Sequence, residues 1–248
     1  MRVDFCLPIK NEAGIIEENI LNLISYLDMA NFEFSWRIIG ALNGSTDNSA
    51  EILEKLKQKF SGKLDFFSVK ESGKGLAIKT CWRKSEAEIL FFIDADLPVS
   101  LDCVEKILEP LLEHKADLVI GSRFAEGAVV ERTKWRKAVS KVYVTISKCL
   151  LPHNQLDLQC GFKAISNEGF KKIERLLINN DYFFDTELVI LSESFGLRIL
   201  EAPVNWRENR KQDDKSHVNI FKDAARFIKN LICFRFYLKK IKKYPYSE

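Results

Sequence analysis

The chain has 248 residues, of which 46% are hydrophobic and 29% are charged, a composition typical of a soluble globular protein with one large domain. Its net charge of +3 excludes a strongly basic nucleic-acid-binding protein, and we expect no nucleic-acid partner. The charge is uneven, because residues 222–248 hold eight Lys or Arg and two acids, whereas the first 221 residues are net acidic.

The sequence predicts neither a secretory signal nor a membrane span. The first residues lack the apolar segment of a signal peptide, and no run reaches about 18 apolar residues. The six cysteines form no C-x-x-C pair and mostly lie in apolar runs, which favours reduced thiols. We therefore expect a cytoplasmic protein, with a peripheral position at the cytoplasmic face of a membrane as an open alternative.

Strands and helices are predicted to alternate along the first half of the chain. Strands are predicted at 3–7, 34–42, 64–69, 89–93 and 117–120, and helices at 15–29, 48–60, 76–85 and 101–114. A spacing of about thirty residues per strand suits the crossovers that join parallel strands. We expect an α/β fold with a mostly parallel sheet flanked by helices.

The strongest chemical signal follows the apolar strand at 89–93, where Asp94 and Asp96 stand one residue apart. Ligands of open α/β sheets bind at the carboxyl ends of the strands. Residues i and i+2 of an extended chain point the same way, so these carboxylates repel each other unless a cation lies between them. Such hard oxygen ligands suit Mg²⁺ or Mn²⁺. The alternative is a loop with two solvated acids, one of them a helix cap.

Three other loops are predicted to open on the same edge of the sheet. They are Pro8–Glu12, Asn43–Asp47 and Gly73–Gly75. Together with the two aspartates, they would line a cleft of nucleotide size with a glycine turn and a lysine, Lys74. Lys74 could also be a plain exposed turn residue, since short motifs often match by chance.

In this order, the sequences PIKNE (8–12), NGSTD (43–47), GKG (73–75) and DAD (94–96) resemble the signature of inverting nucleotide-sugar glycosyltransferases of family 2, which have a Rossmann-like GT-A fold. The sequences GSR (121–123), DLQCGFK (157–163) and PVNW (203–206) resemble polyprenyl-phosphate sugar synthases, most of all the dolichyl-phosphate glucose synthase branch. Asp185 and Glu187 stand where that group has an acidic pair. The resemblance covers residues 3–219.

The resemblance implies transfer of a hexose, with inversion, from a nucleotide-diphospho-sugar of the UDP-glucose or GDP-mannose type to a polyprenyl phosphate. It implies Mg²⁺ or Mn²⁺ as cofactor on Asp94 and Asp96, with Asp96 catalytic through the metal. The implied nucleotide-sugar site consists of Pro8, Asn11, Glu12, Asn43, Asp47, Lys74 and Asp94. The chain departs from the pattern in two places: Leu42 and Asn43 replace two acids that are common in the family, and Pro98 replaces the third metal ligand of the mannose synthases.

The predicted acceptor decides which other residues matter. A lipid phosphate is already an anion, so it needs cations that hold it near the sugar rather than a base. Four cations are predicted to do this, with Arg123 also predicted to be catalytic: Arg123, Arg132, Arg136 and Lys137. They could also form only a solvated basic helix face.

A glycan or small-molecule hydroxyl would instead require a base, and Asp185 or Glu187 is then the predicted one. Both could equally be acids at a helix start. A non-catalytic nucleotide-sugar binder and a nucleotidyltransferase are further alternatives; against the latter, no glycine-rich loop follows the first strand.

We expect a glycosyltransferase domain at 1–219 and a basic amphipathic tail at 220–248. Apolar residues recur in the tail at helical spacing, and basic residues fill the remaining positions. Such a helix can lie on an anionic membrane surface, or it can pack on the core with its basic face exposed.

Overall fold

The computed structural model describes residues 1–131, 134–208 and 220–243. Its strands are β1 Arg2–Ile9, β2 Ser35–Asn43, β3 Leu64–Val69, β4 Ile89–Ile93, β5 Leu118–Ser122, β6 Val129–Glu131, β7 Phe162–Ser166, β8 Ile199–Pro203 and β9 Asn205–Arg207. Its α-helices are α1 Ile16–Met29, α2 Ser49–Lys59, α3 Lys74–Lys84, α4 Val104–Leu112, α5 Lys134–Leu150, α6 Asn167–Ile173, α7 Phe184–Ser194 and α8 Ile220–Lys243. Short 3₁₀ turns span Leu101–Cys103 and Glu174–Leu176.

Seven strands form one sheet in the order β3-β2-β1-β4-β7-β5-β8. All of them run parallel except β7, which lies antiparallel between β4 and β5. The predicted α/β fold with a mostly parallel sheet is therefore confirmed. The insertion of β7 was not predicted, because pairing between strands distant in sequence leaves no local pattern.

Strand β4 is buried on both faces, as its unbroken apolar sequence indicates. Ile89, Phe91 and Ile93 lie in the core on one side of the sheet, and Leu90 and Phe92 lie in the core on the other. This alternation follows from the two-residue period of a strand. Two hydrophobic layers thus hold the carboxyl end of β4, and with it the two aspartates, in the middle of the sheet.

Helices cover both faces of the sheet. The first core includes α1, α2 and α4, and the apolar positions predicted for α1 are all buried there: Ile16, Ile20, Leu23, Ile24 and Leu27. The second core includes α3, α6, α7 and α8. The helix predicted from Leu76 begins two residues earlier, because the N–H of Ala77 already bonds the carbonyl of Gly73 at 3.0 Å. Lys74 therefore lies in the first turn of α3.

The tail helix α8 packs on the protein through one side. Leu231, Phe234, Leu238 and Ile241 are buried in the second core, whereas Phe236 is 66% exposed. The expected packing on the core is thus present, and the division into two domains at 219/220 stays a prediction. No helix in the described part of the chain is both long enough and apolar enough to cross a membrane.

Candidate active site

The loops predicted to form a site do meet at the carboxyl edge of the sheet. The loops after β1, β2 and β4 adjoin one another because β1 pairs in parallel with both β2 and β4. The loop after β3 leads into α3 beside them. In open α/β sheets, ligands bind outside the carboxyl ends of the strands, so this edge is where a ligand is expected.

Asn43 ties three of these segments together. Its Nδ2 donates to the carbonyl of Ile9 at 2.9 Å, and its Oδ1 accepts from the N–H of Gly73 at 3.2 Å. The side chain is buried. A contact between Asn43 and the nucleobase stays a prediction, and the amide as it stands holds the ends of β1 and β2 against the start of α3.

The loops after β1 and β2 are joined by further hydrogen bonds. Asn11 has a left-handed backbone, with φ of 56°, and its Oδ1 accepts from the N–H of Thr46 at 2.8 Å. Asp47 accepts from the N–H groups of Ala13 at 2.9 Å and Ser49 at 3.1 Å. Burial opposes the charge on Asp47, but these bonds outweigh it and lower the pKa of Asp47.

The other two predicted members of the nucleotide site from this segment are Glu12, in the loop after β1, and Pro8, near the end of β1. The N–H of Glu12 donates to Oγ of Ser49 at 3.2 Å, and Pro8 belongs to β1 itself. Hydrogen bonds thus link the segments that contain Asn11, Glu12, Asn43 and Asp47 at the ends of β1 and β2.

Asp94 lies where a glycine leaves room for it. The N–H of Asp94 donates to the carbonyl of Gly161 at 3.0 Å, and a Cβ atom on Gly161 would lie 1.8 Å from Oδ2 of Asp94. Any side chain at position 161 would therefore displace the carboxylate. The glycine just before β7 is a site residue that sequence reasoning noticed only as part of a motif.

Lys74 joins the two acids that the sequence placed far apart. Its Nζ lies 2.8 Å from Oδ1 of Asp94 and 2.9 Å from Oδ2 of Asp185. Burial disfavours the charge on Lys74, but the charges of Asp185 and Asp94 outweigh burial and raise the pKa of Lys74. Lys74 is therefore a partly buried ammonium group within the site and not an exposed turn residue.

Lys163 completes this group, and the sequence analysis noted it only as the last residue of the motif at 157–163, without a role in the site. Its Nζ lies 2.7 Å from Oδ1 of Asp185 and donates to the carbonyl of Cys160 at 2.5 Å. Lys163 is fully buried in β7, and its ammonium lies 5.4 Å from the ring centroid of Phe92. The available signal was a lysine inside the otherwise apolar strand FKAIS, because a buried lysine needs a partner.

Asp94 and Asp96 fit a divalent cation. Burial raises the pKa of Asp94, and the charges of Asp96 and Asp185 raise it further, against the opposing effect of Lys74. A cation beside Asp94 would relieve that repulsion. The described residues include no group of three or more His, Cys, Asp or Glu side chains that could hold a metal ion by themselves. The two carboxylates would thus supply part of a coordination shell, and the substrate would supply the rest.

Arg123 lies in a different ion pair. Its Nε and Nη2 donate to the two oxygens of Asp157 at 2.7 and 2.9 Å, and its backbone N–H donates to Oδ2 at 3.0 Å. Burial disfavours ionised Asp157, but Arg123 outweighs burial and lowers the pKa of Asp157. The guanidinium also lies 5.9 Å from the ring centroid of Trp206.

The other predicted acceptor cations lie at or just before the start of α5. Arg132 lies outside the described residues, and so do the side chains of Arg136 and Lys137 at the start of α5. A cavity of about 280 Å³ adjoins the turn that follows Asp96. Its lining includes Leu97, Pro98, Ser100, Val129, Glu131, Asn205, Trp206 and Arg207.

Glu187 is not brought into the group around Lys74. It is fully buried and accepts from the N–H of Ile178 at 3.1 Å and from both the N–H and Nδ2 of Asn179, at 2.9 and 3.1 Å. Burial raises the pKa of Glu187 against these bonds. Its contacts stabilise the turn before α7, and its catalytic role stays a prediction.

The fold and the site together define a GT-A type α/β protein with an acidic edge. The model of glycosyl transferase family 2 matches residues 4–174, and the chain belongs to that family. The resemblance to family 2 glycosyltransferases, which the four loop motifs indicated, is thereby confirmed.

Curated relatives are similar over most of the chain. The glycosyltransferase AglD of Haloferax volcanii is 28% identical over 206 residues, which is 83% of this chain and 33% of AglD. A dolichyl-phosphate beta-glucosyltransferase of Trichomonas vaginalis is 30% identical over 82% of this chain and 63% of its own length. The dolichyl-phosphate beta-glucosyltransferase of Saccharomyces cerevisiae is 26% identical over 92% of this chain and 72% of its own length. The chain thus spans one third of the length of AglD and just under two thirds of the length of the Trichomonas enzyme.

Solved structures share the fold at low identity. Glucosyl-3-phosphoglycerate synthase from Mycobacterium tuberculosis, in complex with Mn²⁺, UDP-glucose and phosphoglyceric acid, gives a TM-score of 0.67 at 18% identity over 94% of this chain and 79% of that one. The structure of Staphylococcus aureus TarS gives a TM-score of 0.55 at 15% identity, over 82% of this chain and 59% of that one. These likenesses agree with the GT-A fold.

Proposed function

We propose that this protein transfers a hexose, with inversion, from a nucleotide-diphospho-sugar to a polyprenyl phosphate. The observation that carries the proposal is Lys74, held between Asp94 and Asp185 at the carboxyl edge of the sheet. A diphosphate leaving group needs cations at this position. Family membership, and relatives named dolichyl-phosphate beta-glucosyltransferases, support the reaction class and the acceptor.

The donor would lie over the linked loops after β1 and β2. Asn11, Glu12 and Asp47 fix these loops, and Asn43 ties them to α3. UDP or UDP-glucose in the mycobacterial structures makes a uridine nucleotide the first candidate. The diphosphate would then lie near Lys74, whose ammonium is the charge that α3 presents to the crevice.

Asp94 and Asp96 would hold Mg²⁺ or Mn²⁺ together with oxygens of the diphosphate. When bound, such an ion neutralises the charge that develops on the leaving group. The mycobacterial synthase forms its complex with Mn²⁺, which supports a divalent ion here without choosing between the two metals. The chain's own part is to hold Asp94 in the space above Gly161 and to place Lys74 beside it.

The contacts of Asp185 favour a phosphate acceptor over a hydroxyl. Both of its oxygens lie in ion pairs, with Lys74 and with Lys163, so neither is placed as a base. A phosphate needs no base: its oxygen bonds to C1 of the sugar while the bond from C1 to the diphosphate breaks and the nucleoside diphosphate leaves. Arg123, Arg136 and Lys137 remain our candidates to orient the acceptor, with Arg132.

The exposed face of α8 would bring the protein to the membrane that contains the acceptor. Ile232 and Phe236 are 42% and 66% exposed, and Arg235, Lys239 and Lys240 are exposed beside them. Basic groups beside apolar ones suit an anionic lipid surface. We therefore propose a peripheral position on the membrane.

A donor screen tests the proposal. The purified protein is incubated with Mn²⁺ or Mg²⁺, polyprenyl phosphate in detergent, and labelled UDP-glucose or GDP-mannose, and sugar is followed into the organic phase. We expect lipid label with one donor, and Asp96→Asn to lower turnover at least about 100-fold with the fold intact. Nucleotide release without lipid label would indicate a hydroxyl acceptor or water. No turnover with any donor would favour a non-catalytic binder and contradict the proposal.

A further inference from the structure

Four charged side chains form a continuous row from the core to the cleft. Lys163 pairs with one oxygen of Asp185, Lys74 pairs with the other, and Lys74 also pairs with Asp94. The exposed fraction of these side chains rises along the row: 0% for Lys163, 4% for Asp185, 11% for Lys74 and 30% for Asp94. The row is therefore anchored in the core and ends at the acids of the donor site.

The inner end of the row is unfavourable for folding by itself. A fully buried ammonium loses its hydration, and one carboxylate with one carbonyl replaces only part of it. Apolar residues of similar volume at such a position often leave a protein equally or more stable. The position of Lys163 beneath the site therefore points to a task in the site.

The role of Lys163 follows from the two ion pairs of Asp185, one with Lys163 and one with Lys74. Without Lys163, the whole charge of Asp185 would act on Lys74, which would then face two carboxylates and no second cation. A diphosphate would have to compete with both for one ammonium group. With Lys163 present, the row holds two cations and two anions, so Lys163 offsets part of the attraction between Asp185 and Lys74.

We propose that Lys163 is a positioning residue of the donor site: it neutralises Asp185 and so leaves the charge of Lys74 available to a diphosphate. The inference rests on the proposed donor site but not on the nature of the acceptor. Asp185 keeps the ammonium of Lys74 in place, and Lys163 prevents Asp185 from holding it too strongly. Lys163 itself does not touch substrate.

The chain offers a matched control in Lys79. This lysine is also buried, but it lies on α3 and donates to neutral oxygens, the carbonyl of Leu177 at 3.1 Å and Oδ1 of Asn180 at 2.8 Å. Loss of Lys79 removes a buried ammonium of the same size without changing the charge on Asp185. It therefore separates the effect on folding from the effect on the row.

The test measures binding of UDP and of uridine by calorimetry, in Mg²⁺, for the wild type and three variants: Lys163→Met, Lys79→Met, and Lys163→Met combined with Asp185→Asn. GDP and guanosine replace them if the donor screen selects a guanosine donor. Uridine reports on the nucleoside site alone, so a fold defect would weaken both ligands. Asn at 185 still accepts a hydrogen bond from Lys74 but carries no charge.

We expect Lys163→Met to weaken UDP binding at least about tenfold and uridine binding less than about twofold, since a charge effect acts on the diphosphate. Lys79→Met should leave both affinities unchanged. The double variant should regain UDP affinity to within about threefold of the wild type, because no unneutralised carboxylate remains. If Lys163→Met does not fold, the double variant decides: a tenfold loss of UDP affinity there overturns the proposal.

Three other results would also overturn it: wild-type UDP affinity in Lys163→Met, a parallel loss for UDP and uridine, or a double variant as weak as the single one. Failure of the proposed function looks different. A wild type that binds neither nucleotide contradicts the donor site as a whole. A wild type that binds UDP but never labels the lipid contradicts only the acceptor.

Discussion

Two ion-pair groups stand at the same edge of the sheet, and they are built in opposite ways. In the pair of Arg123 and Asp157, one carboxylate accepts two hydrogen bonds from one guanidinium, and the side chain of Asp157 is 1% exposed. In the row that ends at Asp94, Lys74 is shared between two carboxylates, and exposure increases toward the cleft. In the first group each charge has one ion-pair partner among the described residues, whereas in the second one lysine is shared and the last carboxylate, Asp94, is 30% exposed at the cleft.

The pKa shifts of Asp157 and Asp94 differ in the same way: the pKa of Asp157 is lowered and that of Asp94 is raised. Burial acts to raise both, but Arg123 reverses the effect at Asp157, while at Asp94 the neighbouring acids add to it and Lys74 does not cancel it. Folding thus favours the ionised form of Asp157 and disfavours that of Asp94. A carboxylate whose charge is disfavoured without a ligand is suited to receive a cation.

The largest effect is expected from breaking the pair of Arg123 and Asp157. Asp157→Asn leaves the charge of Arg123 unpaired and nearly buried, which should lower the free energy of unfolding by about 3–5 kcal/mol. The melting temperature should fall by about 6–20 °C, measured by circular dichroism. Because the pKa of Asp157 lies below its ordinary value of 3.8, this stabilisation is complete at neutral pH and is lost only as the pH falls through the lowered pKa.

Asp117→Asn is the control for that measurement. Asp117 also accepts two side-chain bonds from one arginine, Arg198, but this pair lies nearer the solvent, with the side chains of Arg198 and Asp117 57% and 22% exposed. Its loss should change stability by no more than about 1 kcal/mol. Equal losses in the two variants would show that burial does not distinguish the two pairs.

A smaller effect, confined to the row that ends at Asp94, is expected from Gly161→Ala. The new methyl group would lie 1.8 Å from Oδ2 of Asp94, so the carboxylate must move away from its position. Affinity for UDP with Mg²⁺ should fall at least about tenfold. Gly14→Ala, which meets no atom within 4 Å, is the control. Unchanged UDP affinity in Gly161→Ala would mean that the position of Asp94 does not matter for the donor.

The smallest effect is expected on the exposed face of α8. Phe236→Ser should leave stability within about 0.5 kcal/mol, because the ring is 66% exposed. Sedimentation with anionic vesicles should drop by about threefold or more, since a membrane would bury that ring. Met29→Ser alters another exposed apolar residue, on α1, and should bind vesicles as the wild type does. Identical sedimentation of both variants would rule out α8 as the membrane contact.

The strands and loops of the site could be predicted from the sequence, whereas the ion pairs between distant segments could not. Apolar periodicity is local, so β1 to β5, their helices and the loops with Asp94, Asp96 and Lys74 could be placed from residues alone. The contacts of Lys74 with Asp185 could not, because they depend on β7 entering the sheet antiparallel between β4 and β5.

The same strand explains why Lys163 was not predicted as a site residue. A strand pattern by itself would place a lysine at the surface, and only tertiary packing buries it opposite Phe92. The pairing of Arg123 with Asp157 has the same cause: both were noted in motifs, but 34 residues separate them and nothing local joins them.

Thermal unfolding of Asp94→Asn and Asp157→Asn, each with and without UDP and Mg²⁺, tests the contrast most directly. A ligand that binds the folded state raises its melting temperature. We predict that Asp94→Asn melts at or above the wild type and loses the shift caused by UDP and Mg²⁺. Asp157→Asn should melt well below the wild type and keep the shift. The account is contradicted if Asp94→Asn is as destabilised as Asp157→Asn, or if it keeps the full shift.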